Sequence, residues 1–348
     1  MDSSVAQPGI DHERVTAWFE QHVPGTIPPL TFDLIAGGRS NLTYRVRDGG
    51  DGDWVLRRPP TGHVLATAHD MAREHRIISA LAPTNVPVAP TIGLCTDESV
   101  NGAPFYVMDH VEGLVLRDIP AAQAVSPEVR RRAGLSVAEN LARIHAVDPD
   151  AVGLGDLGRK DGYIARQLKR WNTQFEQART REVPVVTEAH DRLAGAIPEQ
   201  GPAAIVHGDY RLDNCMVDPT GEVVAVLDWE ICTLGDPLAD LGVLMVYWTE
   251  PDDPYAALPG ATTLPGFPSR AEMVDAYRAA GGREVGDLGY YTAFGYWKLA
   301  CILEGVYTRY KAGAMGDDGT DATAADGFAA VVELLGQASL AALDKIGS

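Results

Sequence analysis

Between Ile205 and Leu241 the chain reads IVHGDYRLDNCMVDPTGEVVAVLDWEICTLGDPLADL, and no other stretch restricts its fold as tightly. Asp218-Pro219-Thr220-Gly221 puts Asp, Pro and Gly where a type I turn prefers them, between two short runs of strand character, Cys215 to Val217 and Val223 to Leu227. The spacing predicts a hairpin. Folding it back carries Asn214 and Asp228 to one open end, with the loop His207-Gly208-Asp209 beside them. In simple register Asp228 lies about three residues, on the order of 10 Å, beyond the residue opposite Asn214, so the loop before Cys215 has to curl.

Two carboxylates and an amide oxygen at one loop edge suit Mg²⁺, a hard ion that takes one or two carboxylates and completes its shell with water and substrate phosphates. That chemistry is phosphoryl transfer. The five-residue step from Asp209 to Asn214 has the spacing of a kinase catalytic loop, where the Asp takes a hydroxyl proton and the Asn holds metal, and Asp228 stands where a second metal ligand follows. In a chain of this composition H-G-D-x4-N arises by chance about once in a thousand sequences. Asp213 and Asp218 read as turn residues.

The flanking sequence sorts into two parts. Asp11 to Val23 has the period of a short amphipathic helix, and Leu30 to Ile35, Leu42 to Arg47 and Trp54 to Arg58 are strands separated by tight turns. A helix over Ala68 to Leu81 and a strand pair around Thr91 to Cys95 and Phe105 to His110 complete a small sheet with one helix on it. Beyond Gly113 helical periodicity dominates, opened by Ser126-Pro127-Glu128 as N-cap, N1 proline and early negative charge; Gly316 to Asp326 reads as a loop. The division is an N-terminal helical extension over 1–27, an N-lobe over 28–110 and a helical C-lobe over 111–348.

Composition sets limits. With 29 Lys plus Arg against 48 Asp plus Glu, the net charge is −19, which argues against a nucleic-acid partner. Residues 1–11 show no secretory pattern and the longest strongly apolar run, Leu241 to Trp248, falls far short of a bilayer, so a cytoplasmic protein without a membrane partner is expected. Cys95, Cys215, Cys232 and Cys301 form no CxxC pair and are expected to be reduced and buried.

The motif HGD-x4-N with the later LDWEICTLGDPLADLG, together with GGRSNLTYRV and WVLRRPP, resembles the aminoglycoside phosphotransferase and choline kinase-like family, and is most similar to the branch fused in animals to acyl-CoA dehydrogenase domains. The likeness runs over roughly residues 28 to 320. It implies an α+β, protein-kinase-like two-lobed fold and an ATP- and Mg²⁺-dependent kinase acting on the hydroxyl of a small molecule. By the same likeness Asp209 is the catalytic base, Asn214 and Asp228 bind Mg²⁺, the backbone of Asp109 to Val111 receives adenine, and Gly37, Gly38, Arg39, Ser40 and Asn41 form the loop over the phosphates.

The chain departs from that family at the strand cation. Its five lysines are Lys160, Lys169, Lys298, Lys311 and Lys345, so the first 159 residues contain none and Arg57 stands in the lysine's place. Arginine is always charged and can hold two phosphate oxygens. Its expected partner is Glu74, which falls on the apolar stripe of its helix, where an unpaired carboxylate is costly. Adjacent Arg58 points to the other face and reads as a surface residue. Asp236 and Asp240 read as braces, and His145 as a core histidine. Tyr290, Tyr291, Phe294, Tyr296, Trp297, Glu304 and Tyr307 either line the acceptor site or fill the core. Two other readings remain open at this stage: a nucleotide-binding module without catalysis, suggested by the missing lysine, and a true aminoglycoside resistance kinase, compatible with the negative charge.

Overall fold

A computed structural model describes residues 7–36, 41–61, 70–254, 260–312 and 321–346, with 36 and 321–325 as backbone alone. The chain divides into two compact units, one formed by Met1–Gly113 with Val224–Glu230, the other by Leu114–Val223 with Ile231–Ser348.

The first unit contains α1 (His12–His22), β1 (Thr31–Ala36), β2 (Leu42–Arg47), β3 (Asp53–Arg58), α2 (Met71–Leu81), β4 (Thr91–Cys95), the short α3 (Glu98–Asn101) and β5 (Phe105–Asp109). Its strands make one antiparallel sheet in the order β1-β2-β3-β5-β4. Alternation along β2 and β3 sends Tyr44, Val46, Trp54 and Leu56 to a face covered by Val15, Trp18 and Phe19 of α1. Asp11 caps α1 and Asp70 caps α2, each accepting a backbone amide three residues on. On α2 the buried stripe is Met71, Glu74, Ile77, Ile78 and Leu81, so a carboxylate sits among apolar side chains.

The second unit begins with β6 (Leu114–Val115) and α4 (Ile119–Gln123), followed by α5 (Pro127–Ala146), α6 (Tyr163–Ala178) and α7 (Pro184–Gly195). Then come β7 (Ala204–Val206), β8 (Cys215–Val217), β9 (Val223–Val226), β10 (Thr233–Gly235), α8 (Leu238–Tyr247), α9 (Arg270–Ala279), α10 (Leu288–Lys311) and α11 (Asp321–Asp344). The unit boundary falls inside β9. Ser126 caps α5 through Val129 N, and the turn after β8 closes with Asp218 N donating to Glu222 O.

The core of this unit joins α6, α7, α10 and α11 through Leu168, Phe175, Val186, Leu193, Phe294, Trp297, Val332 and Leu335. Tyr290, Tyr291, Phe294, Trp297 and Tyr307 all belong to the buried set, and Glu304 is buried on Arg181 at 3.0 Å, so most of that aromatic cluster fills space. Helix α11 begins at Asp321, inside the stretch the sequence marks as a loop. Its segment Asp326–Asp344 is long and apolar enough by length and composition to cross a membrane, which was not expected from the sequence. Here one face is buried, through Val332, Leu335, Ala338 and Leu343. The four cysteines are free and buried.

Candidate active site

In the second unit β7 pairs with β10, setting Val206 opposite Thr233, and then runs into the loop His207-Gly208-Asp209. The backbone amides of His207 and Gly208 donate to the two oxygens of Asp240, at 2.6 and 2.9 Å. Asp240 is 1% exposed near the start of helix α8, which is buried from Ala239 to Val246. Burial alone pushes its carboxyl up, but the hydrogen bond and charge of His145, then the charge of His207 and the Gly208 amide, bring it below the usual carboxylate range. Asp240 therefore braces the His207-Gly208-Asp209 loop, and His145 is tied in through Tyr277, whose hydroxyl lies 2.9 Å from Nδ1. Gly208 has φ +88°, and a Cβ there would stand 3.1 Å from Ile231. The turn requires glycine.

Past Asp209, Tyr210 is buried and gives its hydroxyl to Val137 O at 2.8 Å, while Leu212–Asn214 curl into a single 3₁₀ turn closed by Asn214 N on Arg211 O. The Asn214 amide donates to Asp209 O at 2.8 Å and to Asp209 Oδ2 at 3.1 Å. The side chains spaced by five in sequence thus meet. Arg211 Nε lies 3.5 Å from Asp209 Oδ2 and its Nη1 2.8 Å from Asp213 Oδ2, with the guanidinium over the Tyr247 ring. Burial pushes the Asp213 carboxyl up, against the pull of Arg211. Beside this loop opens a cavity of about 170 Å³ lined by Arg117, Arg211, Asp213, Tyr247, Trp248 and Tyr296 among others.

In the first unit Arg57 lies between two carboxylates, with Nε 3.2 Å from Glu74 Oε2 and Nη2 2.7 Å from Asp228 Oδ1. Burial disfavours the Arg57 charge, but Glu74, Tyr106 and Asp228 more than offset this and raise its pKa. Burial raises the Glu74 carboxyl, opposed by Arg57. Asp228 has φ +63°, a left-handed backbone that is strained for a residue with a Cβ and recurs at functional turns. Trp229 anchors that turn, buried and donating Nε1–H to Val226 O. Arg58 corrects the surface reading: it is 5% exposed and donates to Gly9 O, Asn101 O and Pro59 O, because the chain before α1 and the α3 turn cover that end of the sheet. Asn41 is buried, with Nδ2 3.3 Å from Glu230 Oε2. Asp109 N donates to Pro90 O, and Val111 is half-buried. Gly37, Gly38, Arg39 and Ser40 lie outside the described residues.

Among the described residues no three His, Cys, Asp or Glu side chains gather into a metal cluster. Asn214 in the second unit and Asp228 in the first each keep an oxygen of the kind that magnesium accepts. Asn214 uses its Nδ2 as donor and keeps Oδ1 without a donor among the described residues, and Asp228 gives Oδ1 to Arg57 and keeps Oδ2. Both are hard oxygen ligands, the type Mg²⁺ takes beside water and phosphate.

Residues 31–285 match the model of the phosphotransferase enzyme family. The chain belongs to that family. Mouse acyl-CoA dehydrogenase family member 10 is 37% identical to this phosphotransferase over 298 residues, 84% of the chain but only 27% of the mouse protein. A crystal structure from Ralstonia eutropha, provisionally named an aminoglycoside phosphotransferase, is 34% identical with a TM-score of 0.80 and covers 95% of this chain and 98% of its own. Choline kinase from Cryptosporidium parvum has the same fold at 12% identity, with a TM-score of 0.66 over 96% and 97% of the two chains. The fold is thus α+β and kinase-like.

Asp240, expected as a brace, holds an amide 33 positions away, in the 207–209 turn and not in its own segment. One residue carried no expectation from the sequence. Lys298, in the aromatic-rich helix α10, donates to Gly208 O at 2.7 Å. The only sequence signal for Lys298 was a charged residue inside an otherwise apolar helical stretch.

Proposed function

We propose that this phosphotransferase is an ATP- and Mg²⁺-dependent small-molecule kinase that moves the γ-phosphoryl group to a hydroxyl of its acceptor. The observation that carries the reading is the Asn214 amide bonded to both the backbone and the carboxylate of Asp209, which fixes the base and orients an amide oxygen away from it. Asp209 takes the proton of the acceptor hydroxyl as its oxygen attacks the γ-phosphorus, and the bond to the bridging oxygen breaks to release ADP. Asn214 and Asp228 are the residues that would hold magnesium, which when bound neutralises phosphate charge. Arg57, braced on Glu74, is assigned to the nucleotide phosphates in place of a lysine.

The acceptor we favour is a hydroxyacyl compound or another small alcohol, in keeping with the similarity to acyl-CoA dehydrogenase family members. The cavity beside Asp209 supports this over an aminoglycoside: among its described lining residues are two arginines and one acid, Asp213, already paired to Arg211, a poor match for a polyamine. The test measures ADP release with alcohols, hydroxy acids, hydroxyacyl thioesters and aminoglycosides. Asp209→Ala should lower turnover roughly 10²- to 10⁴-fold while nucleotide binding persists. Wild-type protein that binds ATP but never consumes it with any acceptor would instead make it a binding module.

A further inference from the structure

Lys298 is a cation that the reaction just described does not use. It is 8% exposed on α10, and among the described residues its Nζ has no carboxylate in contact. Around it stand the Gly208 carbonyl at 2.7 Å and the Trp171 ring, whose centroid is 5.6 Å away. Burial lowers its pKa; the more distant charges of Asp209 and Asp240 work the other way, and Arg170 adds to the lowering. A buried ammonium without a contacting counter-charge is expensive. A core position on an apolar helix would be filled more favourably by leucine or methionine.

What the ammonium holds explains why it is there. Gly208 O belongs to the peptide immediately before Asp209. The amide ends of the same turn, at His207 and Gly208, are held by the buried Asp240 of α8. An anion from one helix and a cation from another thus grip the N–H and C=O groups of one turn. Its glycine is in the left-handed region, at φ +88°. We propose that Lys298 is the positioning residue of the Asp209 loop: its ammonium, reaching from α10, fixes the Gly208 carbonyl and with it the carboxylate that receives the acceptor proton. This rests on the kinase reading for its consequence, but the contact it depends on does not.

Lys298→Met keeps length and the apolar contact with Trp171 and removes the donor. With whichever acceptor wild type uses, kcat is expected to fall roughly 10- to 100-fold, as for lost outer partners of a reacting group, with KM for ATP changed by less than about threefold. Lys298→Arg, which keeps a cation and a donor, should recover to within about fivefold of wild type. Hydrogen exchange, run without ligands, should show the amides of residues 207–214 exchanging at least about tenfold faster in the Met variant while the rest of α10 stays protected. Equal losses in the Met and Arg variants, unchanged loop exchange, or deprotection spread along α10 would each overturn the proposal. If Lys298→Met does not fold, Lys298→Gln replaces it against Lys298→Arg, with Arg expected nearer wild type in both readouts. If wild type consumes no ATP, the kinase reading fails and the exchange measurement alone decides whether Lys298 holds the loop.

Discussion

Replacing Arg57 by methionine removes the cation standing between Glu74 and Asp228 and leaves Glu74, whose side chain is 1% exposed, without a counter-charge. Breaking a buried pair from one side costs about 3–5 kcal/mol, because the remaining charge stays desolvated. Asp228 adds up to about 1 kcal/mol, since its carboxylate is 29% exposed and water can replace the guanidinium. Protonation limits the loss. Burial already raises the Glu74 carboxyl above its ordinary 4.5, and Arg57 is the main opposing influence, so the variant's carboxyl moves higher still. A carboxyl whose folded pKa exceeds its unfolded one holds more protons in the folded state. Stability then falls as pH rises between the two values, by at most about 1.4 kcal/mol per pH unit. Urea unfolding of wild type and Arg57→Met, followed by tryptophan fluorescence at pH 5, 6.5 and 8, should therefore give a deficit of about 3–5 kcal/mol at pH 8 that shrinks toward pH 5. Adding Glu74→Gln should restore most of the loss by removing the stranded charge. A deficit below about 1 kcal/mol that is the same at every pH refutes the reasoning, because it would mean that Glu74 is solvated or paired without Arg57.

Asp240→Asn turns one of the two amide acceptors of the loop into a donor facing a donor, and should lower stability by about 2–4 kcal/mol, measured by urea unfolding at pH 7. Because the Asp240 carboxyl is held low in the folded chain, its contribution is fully present above its unfolded value near 4 and is lost as pH falls through the folded value, so the gap between the two proteins should close below about pH 4. Gly208→Ala, at φ +88° and 3.1 Å from Ile231, should lower the unfolding free energy by about 1–2 kcal/mol and reduce ADP release with it; normal stability would show that the turn tolerates a Cβ. Chelation of divalent metal should stop ADP release and excess Mg²⁺ restore it, whereas turnover that continues in chelator removes Asn214 and Asp228 from metal binding.

Local features were legible wherever a residue's chemistry acts on its own neighbours. Ser126-Pro127 marked the start of α5, Asp218 to Gly221 marked the turn after β8, and a carboxylate on the apolar stripe of α2 signalled a buried cationic partner. The curl forced on the chain before Cys215 appears as the 3₁₀ turn at Leu212–Asn214. Alternation placed Arg57 and Arg58 on opposite faces of β3 but could not say that the chain before α1 and the α3 turn cover Arg58. For the same reason period alone could not show that Tyr296, buried like its aromatic neighbours on α10, also lines the cavity beside Arg211 and Asp213.

The sequence by itself determined the chemistry available: which side chains carry oxygen, which strand carries a cation in a half without lysine, and the five-residue step that lets Asn214 reach back to Asp209. These are properties of covalent spacing and side-chain type, which survive in the unfolded chain. Only the tertiary structure decided that Val224–Glu230 packs with the first unit, that Arg57 sits between Glu74 and Asp228, and that Asp240 and Lys298 grip one turn from two helices. Such contacts join residues tens of positions apart, and they are chosen by which buried charges can find partners once the apolar faces have closed.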